Sequence, residues 1–250
     1  MKKCIIRFAA VILAAAVPAI ASAQFISCSP AKKFVEVDAH IFAGTSGIIQ
    51  NYGGKFPSLT EVTADNGAGV GGGFGAVFGI RQWLGFGTEL NLLFGNNKLN
   101  MAVSDAESVS MSTIFIRNRY TYLNIPLFMS FRFNILPGLR WNVDAGLYYS
   151  YGLSGRQHQT IYRSYVNDLG QLVPVTVDTK TGYFTNSDTF INSYYRGDIG
   201  VHLATAIQFG KHFFVGMRFQ VGMKNISYNH GIVNPNIHSL NFMGCLGYKL

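Results

Sequence analysis

The chain has 250 residues, 48% of them hydrophobic and 13% charged, with aromatics at 14%. A charge fraction about half that of an ordinary soluble domain excludes intrinsic disorder, and the 28 glycines follow no period of three, which excludes a collagen-like chain. The formal charge of +8 drops to +5 without Lys2, Lys3 and Arg7 of the leader described next, a balance that gives no support to nucleic-acid binding.

Residues 1–23 carry the three parts of a secretory signal peptide. Lys2, Lys3 and Arg7 form its positive start, Phe8 to Ala16 its apolar stretch, and Ala21-Ser22-Ala23 its small-residue cleavage site, which places the cut between Ala23 and Gln24. The apolar run is short for a membrane helix and contains Pro18. A lipid-modified cysteine is a poor fit, because Cys28 follows Phe25-Ile26-Ser27. Residues 24–250 form the mature domain. Its two cysteines, Cys28 and Cys245, have neither metal-site nor redox-motif spacing.

Eight segments then alternate apolar with polar or glycine, the period of a strand. Val35, Val37, Ala39, Ile41 and Ala43 oppose Glu36, Asp38, His40 and Phe42. Val70, Phe74, Ala76, Phe78 and Ile80 oppose a glycine series with Val77. Leu84 to Phe94 sets Leu and Phe against Gly85, Gly87, Glu89 and Asn91. Leu123 to Phe133 is opposed by Tyr122, Asn124, Phe128, Ser130 and Arg132. Trp141, Val143, Ala145, Leu147, Tyr149, Tyr151 and Leu153 oppose Asn142, Asp144, Gly146, Tyr148 and Ser150. Tyr195 to Ile207 opposes Arg196, Asp198, Gly200 and His202. Phe213 to Met223 opposes Phe214, Arg218 and Gln220. Leu240 to Leu250 opposes Asn241, Met243, Cys245 and Lys249. Most of these runs are about ten residues, the length a tilted strand needs to cross a bilayer.

Connections alternate long and short. Segments 45–68, 95–119 and 154–193 are long, whereas 81–83, 135–139 and 210–212 are tight; 228–238 is of moderate length. Phe86, Phe131, Phe133, Trp141, Phe209, Phe213 and Tyr248 fall near the short turns, and Tyr120, Tyr122, Tyr149, Tyr151, Tyr194 and Tyr195 near the long loops. Two aromatic girdles and this rhythm predict an all-β fold: an up-and-down antiparallel barrel of eight strands in an outer membrane, with both termini periplasmic. A lipocalin-type soluble barrel needs no such rhythm. Within 154–190, Asn167-Asp168-Leu169-Gly170 predicts a hairpin standing above the membrane; the alternative enrols its two arms in a ten-stranded barrel.

Three stretches carry a family resemblance. Tyr122-Leu123-Asn124-Ile125-Pro126-Leu127 resembles a Y-L-E-I-P-L strand with Asn124 in place of the acid. Met217-Arg218-Phe219 with Gly222-Met223-Lys224-Asn225-Ile226 resembles an R-Y-x-x-G-L-x-N-I strand, and Leu246-Gly247-Tyr248-Lys249-Leu250 a terminal strand that more often ends in Phe. In this order they resemble the PorT-like outer-membrane β-barrel family. The resemblance implies an outer-membrane location and a barrel, and no particular activity.

The candidate chemistry is sparse. Gly67 to Gly72 matches G-x-G-x-x-G but lacks the strand before and helix after that a dinucleotide site requires. Six histidines show no metal spacing, and no cofactor is expected. Ser193, His202 and Asp198 are the nearest approach to a catalytic set, without a motif behind them. The inward-facing charges are more telling: Glu36, Asp38, His40, Glu89, Asp144 and Asp198 against Arg132, Arg196, Arg218 and Lys249. An eight-stranded barrel is just wide enough to be filled by side chains, and buried charges persist when paired. The expected role of this cluster is a structural plug, with Arg218 held by one of the acids. The expected function is a non-enzymatic scaffold or binding protein acting through its outer loops. A small pore and a lipid-modifying enzyme are the alternatives. Expected partners are outer-membrane lipid and lipopolysaccharide, the barrel-assembly machinery, and an extracellular ligand or protein. Two further expectations concern single residues: Gly146→Ala is mild, and Cys28 and Cys245 are not joined, because their heights in the barrel differ by more than the ~7 Å a disulfide spans.

Overall fold

The computed structural model describes residues 33–51, 59–105, 110–184, 193–228 and 235–250. Ala23, Gln24 and Cys28, and with them the leader and its cleavage site, lie outside the described residues. Among the described residues are nine strands: β1 Phe34–Asn51, β2 Leu59–Arg81, β3 Leu84–Asp105, β4 Ser110–Leu136, β5 Leu139–Val166, β6 Leu172–Gly182, β7 Gly197–Phe209, β8 Phe213–Gly222 and β9 Asn236–Lys249. All pairings are antiparallel. Eight of the strands close a ring in the order β1-β2-β3-β4-β5-β7-β8-β9, sealed where β9 returns to β1 from Asp38↔Lys249 to Asn51↔Asn236.

β6 stands outside the ring. The lower half of β5, Leu139 to Tyr151, pairs with β7, and its upper half, Arg156 to Val166, pairs with β6. The hairpin turn falls where the sequence indicates. The Asn167 side-chain oxygen accepts the amides of Leu169 and Gln171 (3.1 and 2.8 Å), and Gly170 takes φ 74, a conformation that costs glycine little. The ten-stranded alternative is not adopted. β6 reads Leu-Val-Pro-Val-Thr-Val-Asp-Thr-Lys-Thr-Gly, so its apolar side, Val173, Val175 and Val177, gives way to Thr179 and Thr181 and is too short to cross a bilayer.

The ring is inside-out relative to a soluble barrel. Phe74 is 66% and Leu147 56% exposed on the outer wall, alongside Ile41, Leu92, Leu127, Phe213 and Leu246. The alternate positions, among them His40, Asn91, Asn124, Arg132, His202 and Arg218, are buried. A continuous apolar outer surface around a polar interior is the arrangement lipid selects.

Four sequence expectations are corrected. The described residues of segments 45–68, 95–119 and 154–193 are largely strand rather than loop, which is why β4 and β5 reach 27 and 28 residues. Above the lipid a strand needs no apolar face, so its alternation fades while its ladder continues. Tyr120, Tyr122 and Tyr194 do not join the outer girdle; they are buried because they share parity with inward-facing Asn124 or precede β7. Arg196 does not join the interior charges. It sits exposed before β7, with its guanidinium donating to the carbonyls of Gly152 and Leu153 (2.7 and 3.2 Å). Finally, Gly146 leaves no room for a methyl group: a Cβ there meets the backbone of Leu127 and Phe128, so Gly146→Ala is costly rather than mild.

One irregularity redirects a face. Between Thr121↔Ser154 and Tyr122↔Gly152, β5 inserts Leu153 as a bulge. An extra residue flips the parity of everything beyond it. Below the bulge the odd residues Leu147, Tyr149 and Tyr151 face outward. Above it the even residues do, while Gln157 and Gln159 are buried.

Candidate functional site

Three layers of side chains fill the ring. Nearest the short turns, Glu36 on β1 accepts from Arg132 of β4 (2.6 Å), Arg140 of β5 (3.2 Å) and Lys249 of β9 (2.6 Å). One carboxylate thus ties four strands, and Arg132 also lies over the Phe34 ring at 4.1 Å. The Asp144 carboxylate is hydrogen-bonded by Ser130, its neighbour across the β4–β5 ladder, and has one oxygen without a partner among the described residues.

In the second layer Asp38 bonds His40 Nδ1 (2.7 Å), and His40 Nε2 meets the Asn91 side-chain oxygen (2.7 Å). Asn91 donates to Glu89 (2.8 Å), and Arg218 donates to the same carboxylate (3.0 Å). Arg218 lies over the Phe42 ring at 4.6 Å and reaches Cys245 Sγ at 3.5 Å. The expected acidic partner of Arg218 is therefore Glu89. In a low-dielectric interior such a relay holds only when nearly every member is satisfied.

The third layer is neutral or singly charged. Gln220 and Asn124 exchange amide hydrogen bonds, Asn124 donates to Ser150 (2.7 Å), and Gln220 donates to His202 Nδ1 (3.0 Å). Asp198 accepts from Tyr148 (2.8 Å) and Ser239 (2.6 Å). The carboxylate of the imagined Ser193, His202 and Asp198 set is thus committed elsewhere, and His202 bonds Gln220.

An aromatic lid closes the mouth above. After β6 the chain turns back, and Tyr183 and Phe184 drop into the ring. Tyr183 is 1% exposed. It stacks on Tyr194 (centroids 4.2 Å, planes 15° apart) and packs on Tyr120, while Phe184 meets Tyr122 edge-on at 5.4 Å. Gly152 and Gly155 on β5 make this fit, since a Cβ at either would strike Phe184 or Tyr183. Gly155→Ala is accordingly expected to cost about 1–3 kcal/mol by overpacking, read as a lower urea midpoint for the folded barrel in detergent. Beneath the lid lie two small cavities, about 20 Å³ beside Tyr122 and Asp198 and about 10 Å³ beside Asn124 and Arg218. Each has room for one or two waters at most.

Cys245 is a free, buried thiol on β9 under Arg218. We expect it to resist a maleimide until the barrel is unfolded; rapid labelling of the folded protein would contradict that burial.

Of the sequence candidates, Glu36 with Arg132 and Lys249, and Asp38 with His40, Glu89 and Arg218, are brought together. Asp144 and Asp198 stand apart with hydroxyl partners. The residues the sequence reading missed are Arg140, Asn91, Tyr148, Ser239, Tyr183 and Phe184. Inward parity marked Asn91 and Tyr148. Tyr183 and Phe184 read from the sequence as aromatics of the long 154–190 loop, and nothing local marks them as interior, since they come from beyond a strand outside the ring. On the outer side of the hairpin, the Thr160 hydroxyl and His158 hold the Asp178 carboxyl below its usual range.

No curated protein sequence matches the chain. Among solved structures it is similar to Ail, the attachment invasion locus protein of Yersinia pestis (10% identity over 88% of this chain and 100% of that one, TM-score 0.35). It is likewise similar to the outer membrane protein OprG from Pseudomonas aeruginosa (10% identity over 88% and 96%, TM-score 0.31). The model of the outer membrane protein beta-barrel domain matches residues 40–228, more than half of the chain. An inside-out ring of eight strands and this match agree: the chain belongs to the outer membrane protein β-barrel domain family and resides in the cell outer membrane.

Proposed function

We propose that the protein is a non-enzymatic, non-conducting barrel of the PorT-like kind. Its short turns and both termini face the periplasm after removal of the leader at Ala23, and it acts through the sheet and hairpin at its far, extracellular end. The observation that carries this reading is the filled lumen, with charge layers below and the Tyr183–Phe184 lid above. A solute path through the ring would have to break buried ion pairs and displace packed aromatics. The short turns at 81–84, 136–139 and 209–213 support the periplasmic assignment of that end, because outer-membrane barrels keep their short turns there. The PorT-like motifs fall on β4, on β8 with the four residues after it, and on β9. Asn124, in place of the family's acid, is satisfied by Ser150 and Gln220, and the motif arginine Arg218 is paired.

A porin-like channel and a lipid-modifying enzyme are the alternatives. Planar-bilayer recording of the purified protein should show no channel steps; regular single-channel steps would overturn the reading. Lipid mass spectrometry should be unchanged when the gene is deleted, and a changed acylation pattern would assign an enzyme. Outer-leaflet lipopolysaccharide, the barrel-assembly machinery and an extracellular ligand or protein are the proposed partners.

A further inference from the structure

Above the lipid band the strand extensions carry a one-sided charge pattern. Register places Lys98 of β3 opposite Arg117 of β4, Arg117 opposite His158 of β5, and His158 opposite Lys180 of β6. Two residues nearer the membrane, Arg119 stands opposite Arg156. Lys98, Arg117, Arg119, Arg156 and Lys180 are all exposed. Their strand neighbours Asn97, Asn118 and Gln157 form an amide ladder on the inner face (2.7 and 3.0 Å), which fixes the cations on the outer one. The Leu153 bulge turns Arg156 to that side.

Two features separate this face from an ordinary solvated surface. Like charges directly opposite each other on neighbouring strands repel, and here two such pairs, Lys98–Arg117 and Arg119–Arg156, are adjacent. None of the five cations forms an ion pair among the described residues. Of the nearby acids, Asp178 is engaged by His158 (3.1 Å) and Thr160 (2.7 Å), and Asp65 of β2 stands directly opposite Lys98 on its other side, leaving Arg117, Arg119 and Arg156 with no acid opposite them. The face asks for an external anion.

Depth names the source. Exposed Phe94 pairs with Thr121, and Thr121 with Ser154; this row, with Tyr151 and Leu153 beside it, is the last apolar one below the cations, and the exposed Phe115–Tyr162 pair lies beyond them. Arg119 and Arg156 lie two residues beyond, about 7 Å along the strand, and Lys98 and Arg117 four residues beyond, about 13 Å. Strand tilt shortens these heights, and headgroups fill roughly the first 5–8 Å outside the hydrocarbon. The lower row falls within the headgroup layer and the upper row at its outer edge, on the wall that continues the lipid-facing surface.

We propose that this basic face binds the phosphate groups of the phosphorylated glycolipid that forms the outer leaflet of the membrane. The proposal rests on the extracellular assignment of the far end. Phosphates entering between the two rows relieve the cross-strand repulsion, and the arginines supply paired N–H donors suited to phosphate oxygens. A bound glycolipid also packs its acyl chains against the apolar wall below.

The test uses the full-length protein folded in non-ionic detergent, titrated with bisphosphorylated lipid A, with phosphatase-treated lipid A and with soluble inorganic polyphosphate. The expected result is tight, salt-sensitive binding of bisphosphorylated lipid A, weaker by roughly fivefold for each charge removed in Arg119→Gln, Arg156→Gln and the double variant. Arg119→Lys, which keeps the charge but not the paired donors, should lose less affinity than Arg119→Gln. In detergent without lipid A the double variant should unfold at a higher urea concentration than wild type, which shows that the loss is not misfolding. Equal affinity for the dephosphorylated lipid, or an unchanged affinity in the double variant, overturns the proposal. Polyphosphate bound while lipid A is not overturns it in favour of a soluble polyanion. Protease cleavage of the 167–171 turn on intact cells tests orientation separately. A hairpin protected in whole cells but cleaved in lysed ones rejects the extracellular assignment, even where lipid A binds in detergent.

Discussion

A chain carrying Leu147→Arg will fail to reach the folded, heat-modifiable form in lipid vesicles. Leu147 lies midway along the membrane-crossing part of β5, six residues from Trp141 and six from Leu153, and its side chain is 56% exposed on the outer wall. Its cross-strand neighbours Leu127 and Val201 belong to the same apolar band. An arginine at the bilayer midplane of a barrel costs about 2–4 kcal/mol, a large share of a typical total stability. Leu169→Arg is the control. Leu169 is 81% exposed at the tip of the β5–β6 hairpin, outside the ring, where the same substitution should shift stability by less than about 0.5 kcal/mol. Equal folded fractions for wild type and Leu147→Arg would mean that the outer wall does not face lipid.

The second large effect is expected inside. Arg218→Ala removes the cation that Glu89 faces at 3.0 Å and leaves that carboxylate buried with Asn91 and, at 3.6 Å, His40. Breaking a buried pair from one side costs about 3–5 kcal/mol. Arg218→Met with Glu89→Gln should recover part of the loss, because the stranded charge leaves too. Urea unfolding in detergent reads both. A nearly neutral Arg218→Ala would mean that water solvates Glu89 in an open lumen, which contradicts the filled interior.

The spanning segments were legible because lipid enforces a rule on every second residue. Trp141 to Leu153 alternates without exception, and the outer wall follows it. Once the chain leaves lipid the rule lapses. Residues 110–119 read Ser-Met-Ser-Thr-Ile-Phe-Ile-Arg-Asn-Arg, suggest a loop, and yet continue β4. The inserted Leu153 was invisible as well. Extrapolated parity would turn Arg156 and His158 inward, and the bulge turns them out. The interior was half legible. Parity identified Glu36, Glu89 and Arg218 as inward, but their partners depend on ring closure, which brings Lys249 to Glu36 across almost the whole chain. The lid was not legible, because Tyr183 and Phe184 have no periodicity and owe their position to the two glycines on β5 that admit them.

The filled lumen, the lid and the outer basic face all depend on the ring having eight strands with β6 outside it, since eight strands enclose just the room that side chains fill and more strands open a wider one. The most direct measurement is disulfide trapping across the β5–β7 seam, with native cysteines replaced by alanine and with Ala145→Cys and Leu203→Cys introduced at paired positions. Paired Cα atoms of antiparallel strands lie about 4.5–5.5 Å apart, within disulfide reach. The eight-stranded ring predicts efficient linkage in the folded protein, seen as a reduction-sensitive mobility shift on a denaturing gel. Failure of that pair to link, with Ala145→Cys linking instead to Ser193→Cys, the position that continuation of the β5–β6 register would set opposite it, would place the segment after β5 within the ring and contradict the account.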